Sequence, residues 1–323
     1  MIQEPQNQWL VIVNPNAGAG KCTRDWPLIK KLLDSYEFLY HTVFTIRKLH
    51  AILISRNYIN LGYNKIIVVG GDGTMNEVIN GIFVQKRFET NEITLGMIPV
   101  GTGNDWGRMF GITGNYEEAI KTIKEFKTFI QDAGKVVFQK NQRMLHRYFV
   151  NIAGLGFDAM VVKKANRLKD KGKGNPALYL FNIFTSLFGY KAMPATIVVD
   201  GIASSKDIFS LSLGICKYNG GGMMQLPDAK ADDGLFDLTV IKKIGRIEVM
   251  RNIRKLYDGT ITKHPKVETY TGKSIRISSP KNIYLETDGE SLGHTPMEFE
   301  IIPRSIRVIS ANNHGGTEST EIH

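Results

Sequence analysis

The chain has 323 residues, and 41 Lys and Arg against 31 Asp and Glu give it a net charge of +10. With 42% hydrophobic and 22% charged residues it can bury a core, which excludes disordered, collagen-like and disulfide-scaffold chains. The length predicts two domains, and the basic excess points to anionic partners: nucleic acid, an anionic membrane surface or phosphorylated small molecules.

In the first half, Trp9–Val13 and residues 65–69 and 93–98 read as buried strands, compact and rich in β-branched residues. Residues 25–36, with Trp26, Ile29, Leu32 and Leu33 at helical spacing, and residues 75–83 and 116–129 read as amphipathic helices between and after them. Alternating strands and helices predict an α/β domain with a parallel sheet. A change of pattern within 130–146 marks the domain boundary. Beyond it, residues 147–152, 195–199, 208–215, 236–241, Ser274–Ser278, 282–286, 297–302 and 305–309 read as strands, with helices over 159–168, 177–188 and Arg246–Tyr257. This half is predicted to be a mostly antiparallel β-sandwich. The expected domains are 1–135 and 136–311, with the last strand able to return to the first domain and a polar tail over 312–323.

Cys22 and Cys216 lie far apart with no partner at metal-ligand spacing, so neither a zinc site nor a disulfide framework is expected. The apolar stretch 177–188 is broken by Asn182, Thr185 and Ser186 and is shorter than the roughly 20 residues of a spanning helix. The N-terminus has no basic segment followed by an apolar one, so a cytoplasmic protein is expected.

Each predicted N-terminal strand runs into a glycine-containing loop: Asn14-Pro-Asn-Ala-Gly-Ala-Gly-Lys21, Gly70-Gly-Asp-Gly-Thr74 and Pro99-Val-Gly-Thr-Gly-Asn-Asp105. In a parallel sheet such loops gather at the carboxyl edge, where glycine admits a phosphate close to the backbone N–H groups of the next helix. Three in register point to a nucleotide site. The first is not a P-loop, because Pro15 stands where the first Gly belongs and Cys22 where Ser or Thr would hold Mg²⁺. Gly154-Leu-Gly-Phe-Asp-Ala159 fits the dinucleotide spacing, but the confirming acid about twenty residues on is missing.

Within these loops Asp72 suits Mg²⁺ or a ribose hydroxyl and Thr74 a phosphate oxygen, while turn formation alone also explains an Asp among glycines. Asn104 or Asp105 can equally cap the next helix. Asp228, Asp232, Asp233 and Asp237 form an oxygen-rich segment suited to a hard cation or to a solvated turn. Leu285-Glu-Thr-Asp-Gly-Glu290 ends a strand with acids able to serve as a general base, or as a polar hairpin.

These motifs, with Asn151-Ile-Ala-Gly-Leu-Gly-Phe-Asp-Ala159, Asp233-Gly-Leu-Phe-Asp237 and Asp288-Gly-Glu290, resemble in order the diacylglycerol kinase catalytic-domain family, which includes sphingosine kinases and YegS-type lipid kinases. The resemblance implies an active site in the cleft between the two domains. It implies ATP contacts from Asn14, Pro15, Asn16, Ala17, Gly18, Thr45, Gly70, Gly71, Asp72, Gly73, Thr74, Met75, Asn76, Thr102, Asn104 and Asp105. It makes Glu290 resemble the family's proton acceptor, with Asp288 beside it as the other acid able to take the proton and Asp72 in the catalytic set. It places Mg²⁺ on Asp233, with Lys230 and Leu235 contributing backbone carbonyls. Ala17 stands where Ser is common, and Thr45 lacks the small neighbours usual in the family.

The implied activity is ATP- and Mg²⁺-dependent phosphorylation of diacylglycerol or a related lipid alcohol, a sphingoid base or phosphatidylglycerol. The protein would then work peripherally on a membrane with anionic lipids. Lys163 to Lys173 and residues 177–190 are candidates for that contact, although a basic run is also an ordinary solvated face and an aromatic helix an ordinary core element. An NAD kinase, which shares the Gly-Gly-Asp-Gly-Thr loop, and a silent nucleotide- or lipid-binding regulator are the alternatives. No helix-turn-helix, zinc or aromatic RNA-binding signature supports nucleic-acid binding. Monomer and homodimer both stay open.

Overall fold

The computed structural model describes residues 5, 7–101, 103–170, 187 and 189–312. In the N-terminal half, β1 (Trp9–Val13), β2 (Tyr40–Phe44), β3 (Lys65–Gly70) and β4 (Thr94–Pro99) lie parallel in the order β2-β1-β3-β4. Alternate residues of these apolar strands face opposite sides of the sheet, and both sides are covered. Leu10, Ile12, Ile66 and Val68 pack with α2 (His50–Asn60) and α3 (Asp72–Val84) through Ala51, Ile54, Val78 and Ile79. Val11, Val13, Ile67 and Val69 share a second cluster with Ile29 and Leu33 of α1 (Lys21–Ser35) and Ile120 and Ile123 of α5 (Tyr116–Glu125). A short helix, α4 (Asp105–Met109), is the next element after β4.

The C-terminal half comprises β5 (Thr128–Lys140), β6 (Arg143–Phe149), β7 (Ile152–Gly156), α6 (Phe157–Asp170), β8 (Met193–Val199), β9 (Ile202–Gly214), β10 (Tyr218–Asn219), β11 (Met223–Met224) and β12 (Phe236–Lys242), then α7 (Arg246–Tyr257), β13 (Val267–Gly272), β14 (Ser274–Ser278), β15 (Tyr284–Thr287) and β16 (Glu290–Ile309). Antiparallel pairings β8-β9-β7-β15-β16-β14-β8 close on themselves into a sandwich-like shell. Ala153, Leu155, Leu211, Ile275, Leu285, Met297 and Phe299 belong to its buried core. The 20-residue β16 leaves this shell and ends beside β4, pairing Arg307 and Val308 in parallel with Thr94 and Leu95. β5 accompanies it along most of that path.

Several predicted boundaries need correction. The helix expected over 116–129 stops at Glu125, because Phe126 takes φ 55° and residues 128–140 pair with β16 instead. The helix expected from 75 begins at Asp72. Residues 147–152 straddle β6 and β7, and the separate strands 297–302 and 305–309 are one bent strand whose register with β5 slips between Ile302 and Ile306. β2, α2 and β13 were not anticipated, whereas the helix expected after the third loop is the short α4, which starts at Asp105. The expected helix 177–188 falls outside the described residues except for Leu187, as do Thr102 and, beyond Asn312, the tail.

The dinucleotide reading of 154–159 is overturned. β7 is antiparallel to both neighbours, so it begins no βαβ unit. Its glycines serve packing: a Cβ on Gly154 would sit 2.5 Å from Glu286 Oε1, and one on Gly156, at φ +78°, 2.8 Å from the Phe209 carbonyl.

Candidate active site

The ends of β1, β3 and β4 bring the three glycine loops into contact. A Cβ on Gly18 would meet the Val100 carbonyl at 2.5 Å, and one on Gly71 would lie 3.3 Å from Gly101 Cα, so loop backbones touch where side chains cannot fit. Asn14 Nδ2 donates to Thr74 Oγ1 at 2.9 Å, tying the first loop to the start of α3. Thr45, just past β2, is buried and its N–H donates to the Val13 carbonyl at 2.8 Å. Gly71 precedes α3 without a side-chain cap, so no side chain claims the first N–H groups of the helix at its cap.

Two of the predicted carboxylates act as braces between loops. Asp72 accepts the N–H groups of Asp105 at 3.1 Å and Trp106 at 3.2 Å, capping α4 from outside. Asp105 in turn accepts from Gly221 at 2.8 Å and Gly222 at 2.7 Å, fastening the loop after β10 to α4. Both carboxylates flank Gly103. Burial, reinforced by Asp105, pushes the Asp72 carboxyl up to about 7. Burial also raises Asp105, against the pull of its two N–H donors.

The Asp288-Gly289 turn joins β15 to β16, with Thr287 opposite Glu290. Both turn residues have positive φ, 47° and 81°, the mirror-image turn for which Asp-Gly is suited. Asp288 is buried and accepts from Asn76 Nδ2 (2.8 Å), Val150 N (3.2 Å) and Asn151 N (3.1 Å). Burial raises its carboxyl to about 6 despite these donors. Glu290 remains partly open to solvent, pairs with Lys48 Nζ at 2.6 Å, and lies over the start of α3, 3.2 Å from where a Cβ on Gly73 would be.

The structure therefore gathers Asn14, Gly18, Gly70 to Thr74, Asp105, Asp288 and Glu290 in one region. Met75 instead sits in the core, and Asn76 spends its amide on Asp288 and the Tyr148 carbonyl. Asp233 lies elsewhere, its Oδ1 accepting the Leu235 N–H at 3.0 Å, beside Asp132, which holds the N–H groups of Gly234 and Arg304 at 2.7 Å each. Among the described residues no three His, Cys, Asp or Glu side chains converge as a metal cluster.

Sequence reasoning missed Lys48, Glu77, Arg147 and the Gly220 to Gly222 loop. Glu77 accepts from Leu49 and Ala51 at the start of α2, and Arg147 donates to Asn76 Oδ1 at 3.1 Å. Burial lowers Arg147 while Glu77, Glu290 and Asp288 oppose that shift. Lone charges of this kind leave no local pattern, whereas three successive glycines were a visible signal of unusual backbone, and all three have positive φ.

A parallel sheet with three glycine loops is thus faced by a carboxylate hairpin from a β-shell, an arrangement suited to holding a phosphorylated ligand beside an acid. Residues 8–136 match the diacylglycerol kinase catalytic domain, and residues 151–310 match the YegS C-terminal NAD kinase beta sandwich-like domain. A diacylglycerol kinase of Staphylococcus aureus (strain bovine RF122 / ET3-1) is 33% identical over 305 residues, 94% of this chain and 92% of that protein, and the strain MRSA252 enzyme gives the same values. Two solved structures from Bacillus anthracis strain Sterne that carry the diacylglycerol kinase designation cover 94% of this chain. One has TM-score 0.74 with 27% identity and 95% of its own length matched; the other has 0.68, 25% and 97%. The chain belongs to the diacylglycerol kinase family and is a lipid kinase. Among the described residues no helix is long and apolar enough to cross a membrane.

Proposed function

We propose that the protein transfers the γ-phosphate of ATP, with Mg²⁺, to the hydroxyl of diacylglycerol or a related lipid alcohol, working peripherally on a membrane surface. In this reading domains 1–135 and 136–311 enclose the site in the cleft between them. The observation that carries it is Glu290, a partly open carboxylate poised over the uncapped start of α3 where the glycine loops converge.

Glu290 would take the proton of the lipid hydroxyl as that oxygen bonds to the γ-phosphorus and the bond to the β–γ bridging oxygen breaks, releasing ADP. Lys48 orients Glu290, and the backbone of residues 70–74 cradles the phosphates, so this chain acts mainly by positioning. Asn14, Thr45, Thr74 and Asn104 would frame the nucleotide. Asn104 Oδ1 is buried with no partner among the described residues, an acceptor open to a ribose hydroxyl or an amino group.

Asp72 and Asp105 supply hard oxygens beside the phosphate loops, and Asp233 with the carbonyls of Lys230 and Leu235 would form a second, all-oxygen site. Bound Mg²⁺ would neutralise phosphate charge. The test is transfer of labelled γ-phosphate to diacylglycerol, sphingoid bases, phosphatidylglycerol and NAD in mixed micelles. Labelled phosphatidic acid supports the proposal; labelled NADP, or no labelled lipid from a folded protein, refutes it.

A further inference from the structure

Not one residue of α7 is buried, although it is a full 12-residue helix. One side of it is held: Val249 packs in a cluster with Phe157, Val161 and Phe209, and Glu248 accepts from Lys266 Nζ at 2.6 Å. The other side shows Ile247 (62% exposed), Met250 (38%) and Tyr257 (49%) to solvent, interleaved with exposed Arg251 and Arg254. Positions 247, 250, 251, 254 and 257 follow the i, i+3, i+4, i+7 spacing of one helix face. Exposed Lys243 precedes the helix, and Lys255 extends its charge. Glu248 is the lone acid of α7, and it lies on the held side.

A helix packed into a core would bury Ile247 and Met250, and a purely solvated helix has no use for them. Apolar side chains flanked by arginines fit a surface that is apolar below and anionic above, where the chain's +10 charge is also attracted. We infer that the outer face of α7 docks the protein onto an anionic lipid bilayer, its arginines on headgroup phosphates and Ile247, Met250 and Tyr257 in the boundary beneath. This rests on the lipid kinase reading and names the element that brings that site to its substrate. The connection to the site is short. α6, whose Phe157 and Val161 share the cluster of Val249, also donates from Asn166 Nδ2 to the Gly289 carbonyl at 3.1 Å, next to Glu290.

The test floats the full-length protein with vesicles of phosphatidylcholine alone or mixed equally with phosphatidylglycerol. Phosphorylation of a soluble short-chain diacylglycerol is measured in parallel. Wild type is expected to bind the mixed vesicles and not the neutral ones. Arg251→Gln with Arg254→Gln should weaken partitioning roughly thirtyfold, at about fivefold per cation. Ile247→Ser with Met250→Ser should weaken it about tenfold or more. Both double variants should keep the wild-type melting temperature and the wild-type rate on the soluble substrate. Equal binding by wild type and variants, no binding by wild type, or a loss of self-association in the variants that marks the face as covered by a second copy would each overturn the inference. Absence of turnover on the soluble diacylglycerol would instead sink the kinase reading, whatever the vesicles show.

Discussion

Glu286 tests the buried electrostatics of the hairpin. Its side chain is fully enclosed on β15, with Oε2 accepting the Gly289 N–H at 3.0 Å and Oε1 accepting from Asn219 Nδ2 at 3.2 Å. Burial pushes the carboxyl up to about 8, with Asp158 and Asp288 adding repulsion and the two hydrogen bonds working against it. The folded protein therefore binds this proton more tightly than the unfolded chain. Stability from it is fully present below the unfolded value near 4.5 and is lost as pH rises through the folded value. At about 1.4 kcal/mol per pH unit, the loss between pH 5 and pH 7 is roughly 2 to 3 kcal/mol.

Glu286→Gln does not titrate, so that loss disappears. Exchange of one acceptor for an amide adds an offset from the Asn219 contact, but the offset does not vary with pH. The measurement is urea unfolding of both proteins at pH 5, 6 and 7, followed by circular dichroism and tryptophan fluorescence to verify that one transition is seen. Titration of Asp72, which is not among the groups acting on Glu286, cancels in the difference between the two proteins, and the coupled Asp158 and Asp288 shift only in the variant's favour as the repulsion is removed. Wild type should lose about 2 to 3 kcal/mol relative to the variant across the series. Parallel curves would show that Glu286 is ionised in the fold and that the argument from burial fails.

Glu290→Gln should lower kcat about 10²- to 10⁴-fold while nucleotide affinity by fluorescence titration stays within about twofold, the signature of a lost general base. Asp105→Ala strands the N–H groups of Gly221 and Gly222, and calorimetry should register a destabilisation of about 3 kcal/mol. Asp233→Ala should reduce activity and shift the Mg²⁺ titration to higher concentration; an unchanged titration would leave this segment a solvated turn.

The elements most legible in the sequence were those whose pattern is local. β1 and β14 were bounded correctly because buried runs and strict alternation declare themselves, and α7 because its ends are marked by Gly245 and Asp258. β5 was hidden, since Phe126, Phe129 and Ile130 happen to sustain a helical period past the end of α5. Its extended state comes from pairing with β16, more than 150 positions away, which no window can register. The candidate site divides in the same way. Glycine loops and the Asp-Gly turn are dictated by backbone conformation and could be read, but Lys48 meets Glu290 and Glu77 caps α2 only through tertiary placement.

That distinction bears on the two acids of the hairpin, which sequence alone left equivalent. A general base needs a lone pair free for the incoming proton and a path for the hydroxyl that carries it. Asp288 lacks the path and keeps little free acceptor capacity: it is buried, and three of its about four lone-pair sites already receive donors from α3 and from the turn between β6 and β7. Glu290, two residues further on, is partly open to solvent and paired with the exposed Lys48. Asp288 is then a strut that fixes the hairpin against α3, and Glu290 is the group the strut holds in place. Asp288→Ala should leave three donors stranded and cost about 3 kcal/mol or more in unfolding free energy, whereas Glu290→Gln should leave stability within about 0.5 kcal/mol of wild type. If the two variants instead share wild-type stability and the same loss of kcat, Asp288 belongs to the chemistry and this division of labour is wrong.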